Sequence, residues 1–127
     1  MLKKGKYALY KGAEYRFLKK DNQHVELISN NSSDMKKGFS HYEDDVYTKV
    51  VSKHDLEKTY HITPRAKYKG ELFYASNGDG DGTISLDTDK ATIAKKYNFE
   101  RTDKYMYSKY VNIEEVEIIE EKEVYNL

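Results

Sequence analysis

The chain has 127 residues, in which 22 Lys and Arg balance 22 Asp and Glu. That balance excludes the strong basic footprint of a dedicated DNA-binding protein, and the absence of cysteine excludes disulfide staples and thiolate metal cages. No apolar run is long enough for a signal peptide or a membrane span, so a soluble, cytoplasmic protein without a membrane partner is expected.

Taken in chain order, Tyr7 and Leu9, then Tyr15 and Phe17, alternate on either side of Lys11-Gly12. Val25 and Leu27 follow the turn Lys20-Asp21-Asn22-Gln23, so two successive hairpins are predicted. Ser32 or Ser33 is placed to cap a helical turn ending at Lys37, with Gly38 as the stop and Phe39 packing back on the last turn. A strand from Val46 to Val51 leads into Ser52-Lys53-His54-Asp55, a capping-box pattern suited to one tight turn, and a short strand runs from Leu56 to Ile62. His61-Ile62-Thr63-Pro64-Arg65 holds the only proline and reads as a joint, with the linker at residues 63–65.

The sequence then begins again. Residues 8–62 align with residues 66–119 through single-residue gaps: Ala8-Leu9-Tyr10-Lys11-Gly12 returns as Ala66-Lys67-Tyr68-Lys69-Gly70, Phe39 as Phe99, and Tyr47-Thr48-Lys49 as Tyr107-Ser108-Lys109. The second copy carries Tyr68, Leu72 and Tyr74, then Ile84 and Leu86, around a longer, glycine-rich turn. Its helix, capped by Thr88 or Asp87, places Ile93, Ala94 and Tyr97 at helical spacing and stops at Asn98. A strand from Met106 to Val111, the turn Asn112-Ile113-Glu114-Glu115 and a strand from Val116 to Ile119 complete the copy. The segment Glu120 to Leu127 lies beyond it.

Three strands, a helical insertion, a strand, a single turn and a last strand is an order that resembles an SH3-like barrel, over almost the whole chain. The resemblance implies a mainly β chain of two tandemly repeated SH3-like barrels, each with a short helical insertion, at residues 1–62 and 66–127. A catalytic site rarely has to exist twice in one small chain, whereas a structural module does. A non-enzyme is therefore expected, one that binds a protein partner as an adaptor, inhibitor or immunity-type protein.

The thirteen tyrosines carry the functional reading. Those shared by both copies, such as Tyr10 with Tyr68 and Tyr47 with Tyr107, point to packing, because a tyrosine buries its ring while its hydroxyl reaches water. The second copy has a surplus: Tyr74 stands where the first has Arg16, Tyr105 where it has Asp45, and Tyr110 where it has Val50. Tyr74, Tyr105, Tyr107 and Tyr110 are the candidate binding residues, since tyrosine is enriched at interface cores. Nucleic acid is the alternative partner, because Lys95, Lys96, Arg101, Lys104 and Lys109 interleave with Tyr97, Tyr105 and Tyr107, and aromatic rings stack on bases.

Asn77-Gly78-Asp79-Gly80-Asp81-Gly82-Thr83-Ile84 looks like the first two-thirds of an EF-hand calcium loop, with oxygen ligands at alternate positions. Asn77, Asp79 and Asp81, with Asp87 or Thr88, are the candidate calcium ligands. Thr88 stands where a bidentate Glu is needed, and the preceding segment reads as a strand, so a glycine-rich hairpin loop without a cofactor is the expectation and the calcium site its alternative. The four histidines, His24, His41, His54 and His61, show no zinc-ligand spacing and read as surface residues.

Overall fold

A computed structural model describes residues 2–127; Met1, which the sequence assigns to the first module, lies outside the described residues. The chain is mainly β, and the strand pairs whose register is defined all run antiparallel. It forms two compact units. The first comprises Gly5–Ile62 and Lys122–Leu127, the second residues 2–4 and Thr63–Glu121. The division falls at Ile62, but each terminal segment belongs to the unit that the sequence reading does not give it.

In the first unit β1 (Gly5–Tyr10), β2 (Ala13–Lys19) and β3 (His24–Ser29) form a meander, followed by a 3-10 turn (Ser32–Lys37), β4 (Ser40–Glu43), β5 (Val46–Ser52) and a second 3-10 turn (Lys53–Asp55). β6 (Lys58–Tyr68) pairs with β1 through Gly5 opposite Ile62 to Leu9 opposite Lys58. The second unit repeats this order with β7 (Glu71–Asn77), β8 (Thr83–Thr88), α1 (Ala91–Lys96), β9 (Glu100–Asp103), β10 (Met106–Asn112), a 3-10 turn (Ile113–Glu115) and β11 (Glu117–Val124).

The local chemistry is duplicated with the order. Lys11 and Gly12 have φ of 48° and 79°, Lys69 and Gly70 of 49° and 83°, the positive values that a two-residue type I′ hairpin requires. Gly38 (φ 92°) and Asn98 (φ 61°) close the two helical insertions in the left-handed conformation. Phe39 then donates its amide to Asp34, and Phe99 to Ala94. The caps differ from expectation: Asn31 caps the first insertion, because its Oδ1 accepts from Ser33 N, and Lys90 precedes the second without a side-chain cap.

Each unit has its own core at matching positions. Ala8, Tyr10, Tyr15, Phe17, Val25, Leu27, Phe39 and Val51 fill the first; Ala66, Tyr68, Phe73, Ala75, Ile84, Leu86, Phe99 and Val111, joined by Ala94, fill the second. These side chains alternate along the strands, so one sheet face of each unit is apolar and the other turns outward.

Two expectations are corrected. Residues 63–65 are not a linker but the middle of β6, where pairing with β1 ends at Ile62 and pairing with β7 begins at Arg65. The strand path is also open, not closed into barrels: among the described residues β4 and β9 each pair only with the strand that follows. All four residues of β4 and of β9 are exposed, so neither strand is covered by a further layer. No described helix is long and apolar enough to cross a membrane.

Candidate functional site

The outward face of the second unit is built by alternation. Phe73 and Ala75 of β7 point into the core, which turns Leu72, Tyr74 and Ser76 outward. By register Tyr74 lies opposite Asp87 and Ser76 opposite Ser85 on β8, while Ser108 and Tyr110 of β10 lie opposite Asp87 and Ser85. Leu72, Tyr74 and Tyr110 remain 51%, 43% and 60% exposed, large for apolar and aromatic side chains on one sheet face.

Between the two tyrosines sits a hydroxyl and carboxylate cluster. Ser108 Oγ donates to Asp87 Oδ1 at 2.5 Å and Ser85 Oγ to the same oxygen at 3.3 Å, while Ser76 Oγ donates to Oδ2 at 3.4 Å. Thr102 Oγ1 on β9 lies 3.1 Å from Ser108 Oγ. Above them runs an open groove of about 450 Å³, rimmed by Lys4, Pro64, Tyr74, Asp103 and Met106.

Of the four candidate tyrosines, the structure brings Tyr74 and Tyr110 onto this face. Tyr74 is stacked on one side by the Arg65 guanidinium, 4.2 Å from the ring centroid, and Arg65 is held by Glu121 at 3.3 Å. Tyr107 points the other way and packs against the core with Ile93 and Tyr97. Tyr105 occupies the turn between β9 and β10, 72% exposed, with Lys104 Nζ 5.4 Å from its ring. Asp87, Ser76, Ser85, Ser108 and Thr102 escaped the sequence reading as a group. Their signal was the replacement of Ile28, apolar in the first copy, by a charged residue in the second.

The glycine-rich loop is organised around Thr83. Its hydroxyl reaches the Gly80 carbonyl at 2.8 Å and Asp79 Oδ1 at 3.2 Å, and accepts the Gly80 amide at 3.2 Å. Asn77 Oδ1 accepts the Leu2 amide at 3.3 Å. Two of the three candidate calcium ligands thus already serve internal donors, and among the described residues no three His, Cys, Asp or Glu side chains gather as a metal would need. Of the histidines, His24 pairs with Asp21 at 3.0 Å, and His41 contacts the Asp44 carbonyl at 2.7 Å.

A cavity of about 910 Å³ lies on the first unit, between Leu9, Leu56, Lys58 and Tyr60 and the segment from Lys122 to Leu127. Its polar groups hold that segment and each other. Glu14 accepts from the Tyr60 hydroxyl and pairs with Lys122 at 3.7 Å, and Glu57 Oε1 accepts the Gly12 amide at 2.8 Å. The cavity is therefore a seam along a docked segment rather than a set of convergent free groups.

No curated protein and no solved structure matches the chain. A family model matches residues 2–127, and the chain belongs to that family, described as uncharacterised conserved protein UCP033725.

Proposed function

We propose that the chain is a non-catalytic, intracellular binding module that recognises another protein through the outward face of its second unit. The observation that carries this reading is the pair Tyr74 and Tyr110, exposed on one face and flanking a hydrogen-bonding cluster, at positions where the first copy has Arg16 and Val50. Tyrosine supplies large contact area at low entropic cost, and a polar cluster between two aromatic rings gives such a face specificity. The shared element order supports reading each unit as an opened relative of the SH3-like barrel, a scaffold role that leaves recognition to surface side chains.

Nucleic acid is the lesser reading. Arg101, central to the basic and aromatic interleaving, donates its guanidinium to the carbonyls of Asp103 and Lys104 at 3.2 and 2.9 Å. That geometry commits two of its five donors within its own turn.

The test is capture from host lysate on immobilised full-length chain, with and without nuclease, repeated with Tyr74→Ser/Tyr110→Ser. Both side chains are exposed, so the double variant should fold as the parent does and lose only about 1 kcal/mol with the Arg65–Tyr74 stack. A stoichiometric protein that survives nuclease and is lost with the double variant supports the reading. Recovery that disappears with nuclease, or falls steeply with salt, assigns the protein to nucleic acid instead.

A further inference from the structure

The groove over Asp87 has a chemistry that the first unit lacks. At the positions of Ser76, Ser85, Asp87 and Ser108 the first copy holds Leu18, Glu26, Ile28 and Thr48, in the same register: Leu18 opposite Glu26, Ile28 opposite Thr48. The scaffold therefore folds with isoleucine where the second unit spends a half-buried carboxylate, and a charge taken partly out of water costs stability unless something is gained by it.

A serine hydroxyl has one proton and two lone pairs. Ser76, Ser85 and Ser108 each give that proton to Asp87, so what Ser76 and Ser108 present to the groove is lone pairs. The floor of the groove is thus an acceptor surface carrying a formal negative charge. Asp87 makes no ion pair with any described Lys, Arg or His, and Lys4 stands on the rim without reaching it. Asp103, also on the rim, adds a second carboxylate.

We propose that this groove receives the guanidinium of an arginine side chain of the partner protein, laid over Asp87 beside the Tyr74 ring. A planar fork of five donors fits acceptors spread over two carboxylate oxygens and several hydroxyls better than the compact ammonium of a lysine does. This deepens the protein-binding reading above and rests on it for the identity of the carrier, but the chemistry of the groove is testable without a partner.

The experiment is an amide NMR titration of the full-length labelled chain at low salt, with N-acetyl-arginine amide as probe and N-acetyl-citrulline amide as its neutral isostere. The expected result is saturable shifts at Ser85, Asp87 and Ser108 with a Kd on the order of 1–10 mM for the arginine probe. Citrulline should bind about tenfold more weakly or worse, and Asp87→Asn should abolish the difference between probes. Asp87→Ile, which copies the first unit, serves the same purpose if the asparagine variant folds poorly.

No shift at tens of millimolar, an equal response to citrulline, or an undiminished arginine response in both variants would overturn the assignment. A partner captured equally well by the parent and by Asp87→Asn would also overturn it while leaving the protein-binding reading intact. Arginine binding without any captured protein would do the reverse, sustaining the groove and sinking the carrier.

Discussion

Lys49 Nζ lies 5.2 Å from the ring centroid of Tyr10 and 2.8 Å from the carbonyl oxygen of Lys37, so one ammonium joins a core tyrosine to the end of the helical insertion. The second unit does the same with Lys109, 5.7 Å from the Tyr68 ring and 2.9 Å from the Tyr97 carbonyl. The last carbonyls of a helical turn have no internal partner, and a cation placed there satisfies one of them and opposes the helix dipole. Charge-assisted hydrogen bonding and a cation–π contact at a half-buried site together amount to about 1–2 kcal/mol. Lys49→Met and Lys109→Met, which keep the aliphatic stem, should each lower stability by about that amount in urea denaturation, and amide exchange should speed up mainly in the insertion of the altered unit. Equal exchange in both insertions would separate the lysines from the role assigned to them.

This pair also shows why some features were legible in the sequence. Tyr47-Thr48-Lys49 and Tyr107-Ser108-Lys109 recur because strand alternation places the tyrosine and the lysine on the core side, where both have work that depends on local spacing. Gly38 and Asn98 were legible for the same reason, since a left-handed stop is set by one residue's own backbone preference. The continuous strand through Pro64 was not, because it depends on where β1 pairing ends and β7 pairing begins, two registers made by residues far away in sequence. Nor was the Asp87 cluster: its serines come from three strands and become neighbours only through the register. Which face Tyr107 takes was likewise not legible from a count of tyrosines; it packs toward the core.

Tyr15 gives the first unit a response to alkaline pH. Burial raises its phenol above the ordinary 10.0, and the negative charge of Asp34 raises it further. Asp34 is itself buried, accepting the Ser29 hydroxyl at 2.5 Å. A group whose pKa is higher in the fold than in the unfolded chain contributes stability fully below the unfolded value and loses it as pH rises through the folded one. Stability should therefore fall as pH climbs above 10, and Tyr15→Phe should flatten that fall. Asp34→Asn should bring the Tyr15 titration, followed by absorbance near 295 nm, back toward the ordinary range. A profile identical in the parent and Tyr15→Phe would refute the assignment.

The glycine-rich loop makes two neighbouring glycines unequal. A Cβ on Gly78 would stand 2.3 Å from Thr83 Oγ1 and 2.5 Å from its carbonyl carbon, whereas one on Gly80 would meet nothing within 4 Å. The obstruction at Gly78 includes backbone, which cannot swing aside. Gly78→Ala should destabilise the second unit by about 1–3 kcal/mol and disturb the Thr83 amide, while Gly80→Ala should be close to neutral. Since Asp79 and Asn77 already accept from Thr83 and Leu2, millimolar calcium should leave the Gly80 and Gly82 amides unmoved. Saturable calcium shifts at those amides would restore the cation site that the alternating oxygens suggest.

Tyr125 ties the end of the chain to the first unit. Its amide donates to the Thr59 carbonyl at 3.0 Å, its carbonyl accepts the Thr59 hydroxyl at 2.5 Å, and its ring meets Phe17 edge-on at 6.0 Å. Lys6 Nζ approaches the same ring to 4.9 Å, and Lys122 reaches Glu14 at 3.7 Å three residues earlier. In the second unit the place of Phe17 is taken by Ala75, too small to offer such an edge. Tyr125→Ala should therefore cost about 2 kcal/mol through lost apolar and ring contact. The loss should appear as faster amide exchange at Glu14, Phe17 and Thr59, with Phe73 and Leu86 unchanged. Tyr125→Phe keeps the ring and both main-chain bonds, so it should behave as the parent; if it were as damaging as alanine, the hydroxyl and not the packing would be what holds the segment in place.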